Sequence, residues 1–190
     1  MARGLQRTLQ RAAAREAGSA PAKAGLKAVT TGGNGRFRTV VTLTAMEIAV
    51  TSALKYGSQK LFDFAPGKIR MLGGTASLAF AVTTTRASTI IASAAMDWAL
   101  GTAAASNVTL ATTMVDVIAK QDKTLDGAAA AYTTAQAADV AAAATHDGTA
   151  TAKDAYLNIG FPTGTDVLGN GTIAVNGTIT LLWENWGDNA

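Results

Sequence analysis

The stretch GTIAVNGTITLLW (residues 171–183) decides the fold, because its apolar residues recur at every second position over more than ten residues. Successive side chains of a β-strand point to opposite faces, so this alternation predicts a long strand with one buried face. Its continuation, ENWGDNA, contains Trp186, which falls on the opposite face from Trp183. The buried face is predicted to carry Ile173, Val175, Gly177, Ile179, Leu181 and Trp183.

Several other segments show the same alternation and are separated by turn signals such as APGK, LGG, HDGT and LGNG. Many short strands with intervening turns predict an all-β, antiparallel β-sandwich rather than alternating βαβ units. Two segments are ambiguous. Residues 44–53 suit either one helical turn or the continuation of a strand. The alanine-rich residues 125–144 suit a long connection between strands that is partly helical and lies at a subunit contact. The predicted strands are RFRTVVTLT (36–44, with Phe37, Thr39, Val41 and Leu43 on one face), TASLAFAVTT (75–84, with Ala76, Leu78, Phe80 and Val82), a strand within ASTIIASAAMDWAL (87–100, with Met96 and Trp98 on one face), NVTLATTMVDVIA (107–119) and KDAYLNIGF (153–161).

The amino-terminal segment differs from this body in charge. Residues 1–38 contain eight basic residues and one acidic residue, a net charge of +7, whereas the remaining residues contain eight basic and twelve acidic residues, a net charge of −4. Such segregation is typical of an interaction tail. The predicted domains are therefore a basic arm with a flexible connector (1–35, the connector including TTGGNG at 30–35) and a β-sandwich body (36–190).

The arm favours a helix between residues 3 and 16, where arginine recurs at every fourth position. The arginines form one stripe and the two leucines lie on the other side, which suits docking on an acidic protein surface or on nucleic acid. A solvated, frayed tail is the alternative reading, because short isolated helices are marginal in water. The candidate partner-binding residues are Arg3, Leu5, Arg7, Leu9, Arg11 and Arg15.

No catalytic, cofactor-binding or metal-ligating residue is predicted. Cysteine is absent, His146 is the only histidine and is expected to lie in a solvated THDGT turn, and the aspartates are scattered singly along the chain. Metal sites and catalytic triads need several convergent groups. No apolar run approaches the roughly 20 residues that span a bilayer, so no membrane association is expected. Trp183 is predicted to be a core residue, and Trp186 to cap the sandwich edge or contact a neighbouring subunit.

The segments YGSQKLFDFAPGKIRMLGGTASLAF (56–80), KDAYLNIGF (153–161) and GTITLLWENWGDN (177–189) resemble small virion structural proteins of tailed bacteriophages, of the kind that decorate or cement the capsid. The resemblance extends over most of residues 37–189. It implies a β-sandwich or jelly-roll body that binds the capsid as an oligomer, often a trimer, and it does not account for the basic arm.

Three functional hypotheses follow. The first is a non-enzymatic capsid decoration protein, located in the virion, whose body self-associates and whose arm docks on the major capsid protein. The second is a jelly-roll coat protein whose arm binds packaged nucleic acid, which should make binding strongly dependent on salt. The third is a tail-associated or carbohydrate-binding adhesin. The two-faced arm favours protein over nucleic acid, because a purely electrostatic tail needs no apolar side.

Overall fold

The computed structural model describes residues 18–83, 90, 94–125, 131–163 and 166–187. In these residues it contains ten β-strands, one short 3-10 turn at Thr112–Met114 and no α-helix. The strands are β1 (Leu26–Gly33), β2 (Arg36–Val50), β3 (Tyr56–Asp63), β4 (Gly67–Val82), β5 (Ala95–Gly101), β6 (Ile118–Thr124), β7 (Gln136–Asp139), β8 (Thr145–Gly148), β9 (Asp154–Gly160) and β10 (Gly171–Asn185).

The strands form two antiparallel sheets, so the chain is all-β, consistent with a β-sandwich. The larger sheet has the order β1-β2-β10-β4-β7, and β8 also pairs with β4. The smaller sheet has the order β3-β9-β5-β6. The central position of β10 in the larger sheet follows from its length and alternation, which let it pair with β2 on one side and β4 on the other.

The predicted buried face of β10 is confirmed, although Thr172 and Ala174 on the opposite face are buried as well. Ile173, Val175, Ile179, Leu181 and Trp183 are all at most 1% exposed, while Thr178 and Leu182 on the other face are exposed. Gly177 is the irregular position, because the pairing of β10 with β2 shifts register between Val175 and Gly177. The predicted buried faces of β2 and β4 and the burial of Met96 and Trp98 are confirmed as well.

An aromatic cluster joins the two sheets at one end of the molecule. The Trp183 ring centroid lies 4.6 Å from that of Phe37, 6.1 Å from that of Phe62 and 4.9 Å from that of Phe64. The Trp183 indole Nε1 donates a hydrogen bond to Thr39 Oγ1 at 2.9 Å, so its polar atom is satisfied within the core. Aromatic pairs of this kind each contribute about 0.5–1.5 kcal/mol beyond the area they bury.

The structure corrects the prediction of a flexible connector at residues 30–35. Residues 26–33 form β1, which pairs along its full length with β2, and Asn34 and Gly35 form the two-residue hairpin turn between them. Both turn residues have positive φ, 54° and 79°, as a type I′ hairpin requires. The Asn-Gly pair is therefore a hairpin turn. The body also includes β1, which precedes residue 36.

Three further segments differ from expectation or settle an ambiguity. Residues 107–117, predicted as part of a strand, form a loop with the 3-10 turn, because Leu110 and Met114 pack outside the main core against Ala99. Residues 44–50 continue β2 as a strand. In the alanine-rich segment the described residues 131–144 contain β7, a turn at residues 142–143 and no helix.

Candidate protein-binding surface

Four exposed hydrophobic side chains lie on the outer face of the larger sheet, which points away from the core. Val29 on β1 is 50% exposed, Leu72 on β4 39%, Leu182 on β10 37% and Trp186, just after β10, 39%. Leu182 of β10 pairs with Gly73 of β4, whereas the next residue, Trp183, pairs with Met71. Leu72 is therefore the extra residue of a bulge in β4 and lies beside Leu182. Exposed apolar residues gathered on one face are typical of an interaction site.

Glu184 is a buried carboxylate on this face, between two arginines of neighbouring strands. It lies directly opposite Arg36 of β2 and Arg70 of β4. Its Oε2 is 3.4 Å from Arg36 Nε, and its Oε1 is 3.3 Å from Arg70 Nη1. The Glu184 side chain is only 9% exposed, whereas those of Arg36 and Arg70 are 78% and 41% exposed. One carboxylate therefore orients two guanidinium groups that remain accessible.

Trp186 extends this arrangement at the end of the sheet. The Lys68 Nζ lies 5.9 Å and the Arg70 Cζ 5.8 Å from its ring centroid, distances at which a cation is attracted to an aromatic face. The Trp186 backbone N–H donates to the Lys68 carbonyl at 2.9 Å, which fixes the residue against β4. As predicted, Trp183 is in the core, and Trp186 lies on the opposite face. We call the set Arg36, Lys68, Arg70, Leu182, Glu184 and Trp186 the cationic patch.

The proposed arm residues Arg3, Leu5, Arg7, Leu9, Arg11 and Arg15 lie outside the described residues. The chain joins the body at Ser19, which forms two backbone hydrogen bonds with Asp63, of 2.8 and 2.7 Å. Asp63 ends β3, and Gly67 begins β4 only four residues later. The chain therefore enters the body at the same end as the cationic patch.

Charged groups of the smaller sheet at this end form an ion-pair cluster of one ammonium and two carboxylates, with a net charge of −1. The Lys60 ammonium contacts both Asp63 and Asp154, the latter at 3.3 Å, and the Tyr156 hydroxyl also donates to Asp154 at 3.0 Å. The hydrogen bond to Asp63, followed by the effects of Asp154, raises the pKa of Lys60 despite some desolvation.

Two aspartates expected to be isolated meet across β5 and β6. Asp97 lies opposite Asp122, and Lys120 Nζ is 3.0 Å from Asp97 Oδ2 and 3.4 Å from Asp122 Oδ1. Burial raises the pKa of Asp97, whereas a hydrogen bond to Asp97 and the charge of Lys120 lower the pKa of Asp122. A shallow cavity of about 380 Å³ adjoins them, lined also by Lys123 and Pro162. The pairing of adjacent strands brought these acids together, which spacing along one strand could not reveal.

His146 is buried, contrary to the prediction of a solvated turn. It is 8% exposed and lies on β8 opposite Ile69 of β4, so its ring points between the sheets. His146 Nδ1 is 3.5 Å from Asp116 Oδ2, and Asp116 also accepts bonds from the Thr102 N–H and hydroxyl, each of 2.7 Å. Burial opposes ionisation of Asp116, but the bonds from His146 and Thr102 outweigh it and lower its pKa. The contact links the larger sheet to the loop before β6.

Asn158, a residue that the sequence patterns did not single out, holds this loop on the smaller sheet. Its side chain is fully buried on β9. Its Nδ2 donates to the carbonyls of Ala103 and Met114 at 3.0 and 2.8 Å, and its Oδ1 accepts from the Ala105 N–H at 2.9 Å. A polar residue in the middle of the apolar run AYLNIGF is the signal that could have identified it.

No described group of three or more histidine, aspartate or glutamate side chains is arranged to hold a metal ion. Within the same part of the chain, no helix is long and apolar enough to cross a membrane. No protein-family model matches the chain, and a search of curated proteins finds no match to its sequence. The surface chemistry of the molecule is therefore the basis for assigning a function.

Proposed function

We propose that this chain is a non-enzymatic virion structural protein that decorates or cements the capsid of a tailed bacteriophage. Its sandwich body, which we take to be jelly-roll-like, associates with further copies of itself, with a trimer favoured. The body and the basic arm dock on the major capsid protein. The proposal combines the sequence resemblance with the charge of the arm and the chemistry of the outer sheet face.

The observation that carries the proposal is the cationic patch with its exposed apolar neighbours. A rigid, hydrogen-bonded sheet presents Leu182, Leu72 and Trp186 beside two oriented arginines. Tryptophan and arginine are the residues most enriched at the energetic centres of protein interfaces. A sheet face that combines both with aliphatic side chains suits a protein surface rather than a small substrate.

The test is binding of the purified full chain to capsids assembled without it. We expect saturable binding with a fixed number of copies per capsid. The variant Leu182→Asp should bind at least about tenfold more weakly, because it places a charge in the contact. Leu54→Asp is the matched control, since Leu54 is also exposed, at 50%, but lies after the other end of β2. No saturable binding by the wild type would overturn the proposal.

A further inference from the structure

We propose that two copies of this chain associate through β1, which pairs antiparallel with the β1 of the second copy across a two-fold axis at Thr30. The larger sheets of the two copies then form one continuous sheet. This inference rests on the self-association part of the proposed function and adds its surface and its symmetry. Because the contact is two-fold, a trimer would require a further surface.

The outer edge of β1 carries backbone groups that β2 does not use. Gly33 and Arg36 flank the two-residue turn, so they exchange hydrogen bonds, and every second pair of the hairpin does the same. Ala28, Thr30 and Gly32 belong to the intervening pairs and direct their N–H and C=O groups away from β2. Among the described residues, none of these three N–H groups has a hydrogen-bond partner. Such an edge is a template for a further strand.

The other sheet edges are shorter, irregular or covered. β7 and β8 have four residues each, and at β6 the Gln136 side chain donates to the Asp122 carbonyl at 3.2 Å. β3 has a bulge after Lys60, and Ser19 pairs with Asp63 at its end. β1, in contrast, pairs with β2 over eight residues without a register shift and contains no proline. It is therefore the edge best suited to accept a strand of another copy.

The order of residues in β1 is self-complementary about Thr30. With the axis there, the two Thr30 residues exchange backbone hydrogen bonds, and Ala28 does so with Gly32 of the partner subunit. Val29, whose side chain is 50% exposed, then lies opposite Thr31 of the partner subunit. Two pairs of β-branched side chains meet in this way on the outer face, and such cross-strand pairs stabilise a sheet.

The remaining side chains of β1 are compatible with this pairing. Lys27 is the only charged residue of the strand, and it faces Gly33 of the partner subunit. The two Lys27 residues lie about 20 Å apart along the strands, beyond the Debye length of about 8 Å at physiological salt. On the inner face, Leu26 and Ala28 pack against the core but are only partly buried. A second copy of β1 covers the side of these residues that is still open.

The first experiment uses single cysteines in the full-length chain, because the wild type has none and any disulfide must join two copies. Thr30→Cys places both cysteines in one hydrogen-bonded pair with Cα atoms about 5.5 Å apart, within reach of a disulfide. Lys27→Cys is the matched control on the same strand, where the Cα atoms are about 20 Å apart. Under mild oxidation, non-reducing electrophoresis should show at least about tenfold more crosslinked dimer for Thr30→Cys. Equal crosslinking of the two variants overturns the proposal.

The second experiment measures the dimer dissociation constant by sedimentation equilibrium. A contact formed by one strand is small, so we expect reversible wild-type dimers with a dissociation constant on the order of micromolar. Val29→Lys should weaken the dimer about tenfold, because the two new ammonium groups start from Cα atoms only about 8 Å apart. Leu182→Lys makes the same change on the central strand β10, at 37% exposure, and should weaken it less than about threefold. The reverse order would identify the outer face as the contact and overturn the proposal.

The remaining outcomes separate this contact from its alternatives. Crosslinking of Thr30→Cys that appears only after deletion of residues 2–17 would show that another part of the chain occupies the edge, which also overturns the proposal. Capsid binding without crosslinking would reject the β1 contact and leave the virion role standing. Crosslinked dimers without capsid binding would reject the virion role and leave the β1 contact standing. Circular dichroism and urea unfolding establish that the variants remain folded.

Discussion

At the scale of single residues, Asn158 determines how the loop between β5 and β6 is attached. It makes three hydrogen bonds to the loop backbone from a fully buried position. A buried polar group left without its partner costs about 1–3 kcal/mol. No hydrophobic side chain could replace this residue, because the loop carbonyls and the Ala105 N–H would then lose their partners.

We predict that Asn158→Ala lowers the free energy of unfolding by about 3 kcal/mol, since several backbone groups lose their partner at once. Urea unfolding followed by tryptophan fluorescence measures the change. Asn176→Ala is the control, because Asn176 makes a single 2.6 Å bond to the exposed Ala45 N–H. It should cost about 1 kcal/mol. Equal losses in the two variants would contradict the assigned role of Asn158.

Asp116 is the residue whose ionisation links the two sheets through His146. Its pKa is lowered from 3.8 in the folded protein, so folding favours the ionised form. The stability that this contributes is present above the unfolded-state pKa and is lost as the pH falls through the lower folded-state value. The free-energy difference between wild type and Asp116→Asn should therefore shrink as the pH falls.

Urea titrations at intervals from about pH 5 to about pH 2 measure this difference. The control is Asp139→Asn, an exposed position on β7. We expect the wild type to lose stability more steeply with acid than Asp116→Asn does. A difference between these two proteins that stays constant over the whole range would show that Asp116 contributes nothing through its charge.

At the scale of elements, the β1–β2 hairpin depends on its two-residue turn. Gly35 has a φ of 79°, which costs a residue with a side chain about 1–2 kcal/mol. We predict that Gly35→Ala destabilises the protein by about this amount, measured by urea unfolding. Gly33→Ala is the matched control two residues away, because an added Cβ there meets no atom within 4 Å. Comparable destabilisation by both substitutions would contradict the turn assignment.

The long strands could be predicted from the sequence because their burial alternates with period two. β2, the second half of β4 and residues 177–183 of β10 have this pattern, whereas β5 and β9 are buried on both faces over most of their length. The short β7 and β8 could not be predicted, since each has four residues and is a strand only because β4 lies beside it. Pairing between distant segments, and not local preference, creates these elements.

In the candidate site, too, some features follow from the local sequence pattern and others only from the pairing of distant segments. Trp186 could be placed on the outer face because it lies an odd number of residues beyond Trp183 on an alternating strand. Arg36 and Arg70 could not be assigned to Glu184, because their contact depends on the register of β2 and β4 against β10. Asp97 with Asp122 and His146 with Asp116 are joined by tertiary pairing in the same way.

At the scale of the whole molecule, one hydrophobic core unites both sheets and includes partly buried residues of β1. Leu26 and Ala28 pack against this core, and β1 covers the edge of β2. A deletion that stops before β1 therefore keeps this packing, whereas a deletion that includes β1 removes it. A deletion of residues 2–17 keeps every described contact of the body, including the hydrogen bonds of Ser19 with Asp63, whereas residues 26–33 form a complete strand of the larger sheet.

We predict that deletion of residues 2–17 leaves the urea midpoint nearly unchanged, while deletion of residues 2–35 lowers the free energy of unfolding by several kcal/mol. The longer deletion removes the packing of Leu26 and Ala28 and exposes β2 as a new edge, which promotes aggregation. A loss of this size is a large fraction of the roughly 5–15 kcal/mol that stabilises a domain. Urea unfolding and sedimentation measure both effects. Equal destabilisation by the two deletions would contradict a body that begins at β1 and would show that residues 2–17 belong to the folded core.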